Sequence, residues 1–198
     1  MPLFVGIGGP SGAGKTTLAD FIAARLPGQV ARLPLDSYYV DLGDMPPEER
    51  AAYNFDHPDA IDWERFFEDF MTLEGGGAID APRYDFSRHA RLPEACRVEP
   101  LPIVLVEGLH VLWQPALRAM LNFRIYVRAS QSVCLKRRIE RDTAERGRQP
   151  GEVIRQYKQH TNPMFLEFVE PSIGAADLII DGEQDFAAEV EKLAQRLL

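Results

Sequence analysis

The chain has 198 residues, 45% hydrophobic and 26% charged, with 15 glycines and 15 prolines. Those proportions lie near globular averages and exclude a disordered, collagenous or membrane-embedded chain, and at roughly 150 residues per domain they fit one domain with insertions. A formal net charge of −8 speaks against a general nucleic-acid partner, and two cysteines outside any C-x-x-C pair, Cys96 and Cys134, read as a reducing, cytoplasmic setting.

Residues 1–5 lack the basic flank of a signal peptide, and no apolar run approaches the ~20 residues of a membrane span, so no membrane partner is expected. Residues 3–7 read as a short buried strand, followed by a glycine-rich turn and a helix over about 15–26. A second strand is predicted at 30–35. Asp62 caps a predicted helix with Trp63, Phe66, Phe67, Phe70 and Met71 on one face, ended by Gly75-Gly76-Gly77. Prolines between Pro82 and Pro102 mark an excursion of loops with a hairpin. Ile103-Val104-Leu105-Val106 is an unbroken apolar run, the mark of a central parallel strand covered on both faces. Two more strands follow at 124–127 and 177–180, with helices at about 114–121, 132–145 and 151–170, the last broken near Asn162-Pro163. A final helix aligns Phe186, Val190, Leu193 and Leu197. Strand and helix alternate, so the expected fold is α/β, a doubly wound parallel five-stranded sheet.

Gly9-Pro10-Ser11-Gly12-Ala13-Gly14-Lys15-Thr16 fits G-x-x-x-x-G-K-[ST] and lies between a strand and a helix, where the motif must lie. Its glycines turn backbone N–H groups onto phosphate oxygens, the helix behind adds its positive end, Lys15 reaches the β and γ phosphates, and the Thr16 hydroxyl ligates Mg²⁺. Glu107, at the end of the 103–106 run, is the candidate second metal carboxylate, acting through a bound water. Asp36 ends its own strand in the same way, so both carboxylates are expected at the carboxyl edge of the sheet, beside the loop.

This loop announces phosphoryl chemistry without naming the acceptor. A regulatory GTPase would add N-K-x-D and a transporter ATPase an L-S-G-G-Q element, and neither occurs. Charge is unevenly placed: residues 40–70 hold ten acidic and two basic side chains, and 136–160 eight basic and four acidic. Either run can be a solvated face, and the second can equally be a cationic patch for an anionic substrate. Arg137, Arg138, Arg141, Arg146 and Arg148 fall in it, a group that can close over a transferring phosphate and stabilise its charge.

Several motifs follow one another: the loop with Thr17, Asp36-Ser37-Tyr38-Tyr39, Asn54-Phe55-Asp56-His57-Pro58-Asp59-Ala60, Tyr84-Asp85-Phe86-Ser87-Arg88-His89, Glu107-Gly108, and the arginines with Gln156-Tyr157. In that order they resemble the uridine (uridine/cytidine) kinases of pyrimidine salvage, relatives of phosphoribulokinase and bacterial pantothenate kinase, over about residues 4–180. The resemblance implies a P-loop NTPase fold of nucleoside-kinase type, with residues 1–198 as one kinase domain. Nucleoside-binding insertions would lie at about 40–60 and 78–100, with an arginine-bearing lid at about 138–150. The implied reaction is Mg²⁺-dependent transfer from ATP or GTP to the 5′-hydroxyl of uridine or cytidine. Asp36 is implied as general base, Lys15, Arg141 and Arg146 as catalytic cations, and Arg148 with residues 9–17 as nucleotide ligands. Asp56 and Arg138 are implied at the ribose, Tyr84, Phe86 and His89 at the base with Phe55 as a further wall, and Tyr39 and Gln156 as additional nucleoside contacts. A carboxylate accepting from both the 2′ and 3′ hydroxyls discriminates against deoxynucleosides, and a neutral histidine can offer either N–H or bare N to a pyrimidine. The resemblance also implies a homo-oligomer, a tetramer. Where the family usually carries Pro-Arg-Gly after the last strand, this chain has Asp181-Gly182-Glu183, so a basic residue near the donor base is absent. Two other readings stay open: a related P-loop kinase for pantothenate or ribulose 5-phosphate, and a nucleotide-binding regulatory protein without transfer.

Overall fold

The computed structural model describes residues 1–197. Strand β1 (Leu3–Gly8) leads into α1 (Lys15–Arg25) and β2 (Val30–Pro34), followed by a 3₁₀ turn over Leu35–Tyr38, α2 (Pro47–Ala52) and α3 (Trp63–Glu74). Strands β3 (Ile79–Asp85) and β4 (Ala90–Val98) form the expected hairpin as a separate two-stranded antiparallel sheet. Then come β5 (Ile103–Glu107), α4 (Pro115–Met120), β6 (Phe123–Arg128), α5 (Gln131–Arg146), α6 (Pro150–Gln156), α7 (Asn162–Met164), β7 (Leu178–Asp181) and α8 (Ala187–Leu197). The main sheet has five parallel strands in the order β2-β5-β1-β6-β7. Strand β1, not β5, therefore holds the middle, although β5 is buried along its whole length.

Alternation along β1 and β5 divides the interior into two cores. Phe4, Val104 and Val106 pack with Phe66, Phe70 and Leu73 of α3 on one face, where the Phe4 and Phe70 rings stack at 4.1 Å. Val5, Ile7, Ile103 and Leu105 pack with Leu18 and Ile22 of α1 and Val190 and Leu193 of α8 on the other. Burial of each of these side chains contributes roughly 1.5–3 kcal/mol, so the sheet is the rigid frame of the molecule.

The structure departs from two expectations. Met71 is 53% exposed and not part of the α3 stripe, because it lies about 100° past Phe70 and the core face continues instead to Leu73. No break occurs at Asn162-Pro163. The backbone stays helical through wide turns over Tyr157–Thr161 and Phe165–Val169, with the Asn162 N–H reaching Tyr157 O, five residues back. Proline lacks an N–H and crowds the carbonyl four residues before it, and a widened turn accommodates both defects. Among the described residues no helix is long and apolar enough to cross a membrane.

Candidate active site

Parallel register assembles the site. Ile7 lies beside Glu107, and Glu107 beside Pro34. The chain therefore leaves three adjacent strands at one edge, into the phosphate loop after β1, Asp36 after β2 and Gly108 after β5. A cavity of about 850 Å³ opens there.

At the loop, Gly9 and Gly12 have φ of 131° and 84°, and a Cβ on either would run into the carbonyl of Val127 or of Cys134. Only glycine lets the turn press against β6 and α5. Lys15 Nζ donates to the Gly9 and Pro10 carbonyls at 3.0 and 2.9 Å. Gly9 and Pro10 thus brace the lysine from behind and Ala13 is fully buried, whereas Ser11, Gly12, Gly14, Lys15, Thr16 and Thr17 line the cavity.

Thr16 Oγ1 donates to Glu107 Oε2 at 2.9 Å, while Arg32 Nη2 donates to Glu107 Oε1 at 2.5 Å and also pairs with Asp20. A hydroxyl and a carboxylate side by side at a phosphate loop form a hard-oxygen pair that suits Mg²⁺, which takes few protein ligands beside phosphates and water. Among the described residues no cluster of three or more histidine, cysteine, aspartate or glutamate side chains offers an all-protein metal cage.

Asp36 lines the same cavity, where burial pushes its carboxyl above the ordinary range against the pull of Lys15, with Glu107 adding to the rise. Burial lowers the Lys15 ammonium, and the Asp36 and Glu107 carboxylates work against that fall. Lysine and carboxylate each oppose the effect of burial on the other.

The other end of the cavity is aromatic. Phe55 stacks on His89 at 4.4 Å, Tyr39 meets Tyr84 at 5.4 Å, and Phe86 closes on Tyr84 at 5.5 Å. The Tyr84 hydroxyl is buried with no partner among the described residues. Burial, reinforced by Arg148 and Arg146, lowers the His89 pKa to about 4, so the imidazole is neutral near pH 7. Arg148 Nη2 lies 2.9 Å from His89 Nε2, and because arginine can only donate, that nitrogen accepts and the proton sits on Nδ1.

Between the two ends, Asp56 is 5% exposed and carries one side-chain partner on each carboxylate oxygen. Arg138 Nη1 donates to Oδ1 at 3.3 Å, Thr161 Oγ1 to Oδ2 at 2.8 Å, and His110 Nε2 meets the Asp56 carbonyl at 3.0 Å. Burial would raise the Asp56 carboxyl, but Arg138 and Thr161 hold it below the ordinary value. Arg138 also reaches Ser11 Oγ and Gln156 Oε1, both at 3.3 Å, and so ties the loop to the aromatic end.

Arg141 and Arg146 line the cavity as expected. Arg148, expected among the nucleotide ligands, is drawn to the aromatic end, its guanidinium held by His89 and by Gln156 Oε1 at 2.5 Å. Four contributors were not among the predicted site residues, Arg32, His110, Asp142 and Thr161, through the contacts above or below; Arg137 was expected only as one of the arginine group. Arg137 Nη1 donates to Gly182 O at 2.9 Å and lines the end of the cavity next to Phe21 and Phe186, so α5 supplies a basic group near the Asp181-Gly182-Glu183 segment that lacks one. For Asp142 a readable signal existed, its spacing of four from both Arg138 and Arg146; for Thr161 and His110 there was none.

A phosphate loop at the head of a doubly wound parallel sheet, with an arginine-rich helix over the cavity, defines a P-loop protein of small-molecule-kinase type. The sequence profile of the Phosphoribulokinase / Uridine kinase family matches residues 4–187. The chain belongs to that family. It is 42% identical over 182 residues to the uridine kinase of Chloroflexus aggregans, spanning 91% of this chain and 87% of that protein. It is 39% identical over 197 residues to the uridine kinase of Salmonella paratyphi B, spanning 96% and 92%. Among solved structures it shares its fold with D-glycerate 3-kinase from Cryptococcus neoformans (TM-score 0.67, 16% identity, 93% of this chain and 87% of that one). Phosphoribulokinase from Rhodobacter spheroides is similar at TM-score 0.65 and 16% identity, over 94% of this chain and 74% of that one.

Proposed function

We propose that the protein is a uridine/cytidine kinase that moves the γ-phosphoryl group of ATP or GTP to the nucleoside 5′-hydroxyl, giving UMP or CMP. One observation carries the reading: a single cavity joins the lysine of a phosphate loop to an aromatic pocket built around the neutral His89. That pocket suits a flat, uncharged, hydrogen-bonding ring, with Phe55, Tyr39 and Phe86 as its walls. Asp56 and Arg138 stand where ribose would join the base to the reacting end, with Gln156 beside them.

In the proposed step Asp36 orients the 5′-hydroxyl and takes its proton as the new oxygen–phosphorus bond forms and the bond to the β-phosphate oxygen breaks, releasing ADP or GDP. Lys15, Arg141 and Arg146 stabilise the charge on the transferring group. Thr16 and Glu107 would hold Mg²⁺, which when bound neutralises phosphate charge. The free thiols Cys96 and Cys134 agree with a reducing, cytoplasmic setting, and the homo-tetramer belongs to the same reading through the family resemblance.

An ADP-release assay across uridine, cytidine, thymidine, pantothenate and ribulose 5-phosphate tests it. Turnover with uridine and cytidine, and little with the rest, is the expected result; turnover with pantothenate or ribulose 5-phosphate would reassign the acceptor. Tight nucleotide binding without any turnover would favour a regulatory role. His89→Ala should raise the nucleoside KM about tenfold or more and leave the nucleotide KM alone. Because His89 titrates near 4, the nucleoside KM of the unmodified protein should stay flat between about pH 6 and 8, and a step in KM near pH 6.5 would show an imidazole that gains a proton there.

A further inference from the structure

We propose that Asp142 is the positioning residue of the arginine lid: one buried carboxylate gathers four guanidiniums and sets the place of the two, Arg141 and Arg146, that face the transferring phosphate. Its side chain is wholly buried, 0% exposed. Arg141 places Nε and Nη2 on Oδ1 at 2.9 and 2.8 Å, and Arg146 Nη1 lies 3.4 Å from the same oxygen. Arg138 Nε and Arg148 Nη1 lie 3.7 and 3.8 Å from Oδ2. Among the described residues the other carboxylate paired with any of these four is Asp56, with Arg138. Four cations around one cavity repel one another, and burial with repulsion from Arg141 already pushes the Arg146 guanidinium below its ordinary value. A central anion offsets that repulsion while leaving the outer N–H groups free for substrate.

The turn that ends α5 closes on the backbone of the same residue. Helix α5 ends with Gly147 at φ 64°, and the amides of Gly147 and Arg148 both donate to the Asp142 carbonyl. Gly147 therefore sets where the helix stops and where Arg148 departs, and the Arg148 guanidinium, bonded to His89 and Gln156, still comes within 3.8 Å of the Asp142 carboxylate. Arg138, bound to Asp56 at the nucleoside end, is joined through this one side chain to Arg141 and Arg146 at the phosphate end.

The inference rests on the kinase reading and is tested with Asp142→Asn, which keeps the shape and removes the charge. Expected is a kcat lower by about 10- to 100-fold with the ATP Kd, measured by calorimetry, within about threefold, since Lys15 and the loop are untouched. In an Arg146→Gln background, where one repelling cation is already gone, the same substitution should cost at least about fivefold less. A kcat within about threefold of wild type, or an equal loss in both backgrounds, overturns the proposal. If Asp142→Asn does not fold, Asp142→Glu replaces it: a shift of the charge by one methylene should lower kcat about fivefold or more with ATP affinity kept, and an unchanged kcat overturns the proposal. Should the unmodified chain turn over no acceptor, the kinase reading fails separately. Deuterium uptake over residues 143–150 then decides, rising about tenfold in Asp142→Asn if the carboxylate holds the lid and staying unchanged if it does not.

Discussion

Asp36→Asn should lower kcat by at least ~10²-fold while moving the KM of nucleoside and nucleotide much less. Asparagine fills the same volume and still accepts a hydrogen bond, so the 5′-hydroxyl keeps its place; it cannot take a proton. The structure sets the direction of the pH dependence. Burial raises the Asp36 carboxyl above its ordinary 3.8, with Lys15 resisting and Glu107 assisting. A general base works deprotonated, so kcat should fall as pH drops through this raised value, and the acid limb should lie above that of a free aspartate. Rates measured from pH 4.5 to 8 test both points: the limb should vanish from whatever residual activity Asp36→Asn retains. A kcat near that of the unmodified enzyme would remove Asp36 from the proton transfer.

Much of this arrangement was legible before any coordinates, for reasons tied to particular residues. Strands such as Ile103-Val104-Leu105-Val106 announce themselves because parallel strands are buried on both faces, and the phosphate loop does so because its backbone conformation demands glycine at fixed positions. Once those were placed, the parallel register forced Asp36 and Glu107 to one edge. The contacts that crossed long stretches of sequence were illegible. Thr161 reaches Asp56 across 105 residues and Arg32 reaches Glu107 across 75; no local period encodes either. Arg148 shows a related limit, since its place in the arginine run was readable but its contacts with His89 and Gln156 were not. The wide turns around Asn162-Pro163 escaped for a physical reason as well, because a proline signals a stop in an α-helix and loses that meaning where bonds span five residues.

Asp56→Asn should raise the nucleoside KM by about 10- to 100-fold and collapse the preference for uridine over 2′-deoxyuridine to within a few fold. A carboxylate has four lone-pair sites, and Arg138 and Thr161 use one on each oxygen, which leaves one on each for a pair of ribose hydroxyls. Deoxyribose would strand a buried acceptor, the source of the discrimination, whereas asparagine presents a donor on one side and meets only one hydroxyl well. The substitution should also destabilise the fold, because Arg138 is 6% exposed and loses a partner. Breaking a buried pair from one side costs roughly 3–5 kcal/mol, and the cost here falls at or below the lower end because Asp142 still faces the same guanidinium. The pH dependence of that loss follows from the direction of the Asp56 shift. Arg138 and Thr161 hold its folded pKa below the unfolded value despite burial, so its contribution is complete above the unfolded value of about 3.9 and disappears as pH falls through the folded one. Melting curves should accordingly separate the two proteins widely at pH 7 and draw together below about pH 4. A separation that persisted there would mean the Asp56 charge is not what stabilises Arg138, and an intact preference for ribose in Asp56→Asn would place the reading of the 2′-hydroxyl on another residue.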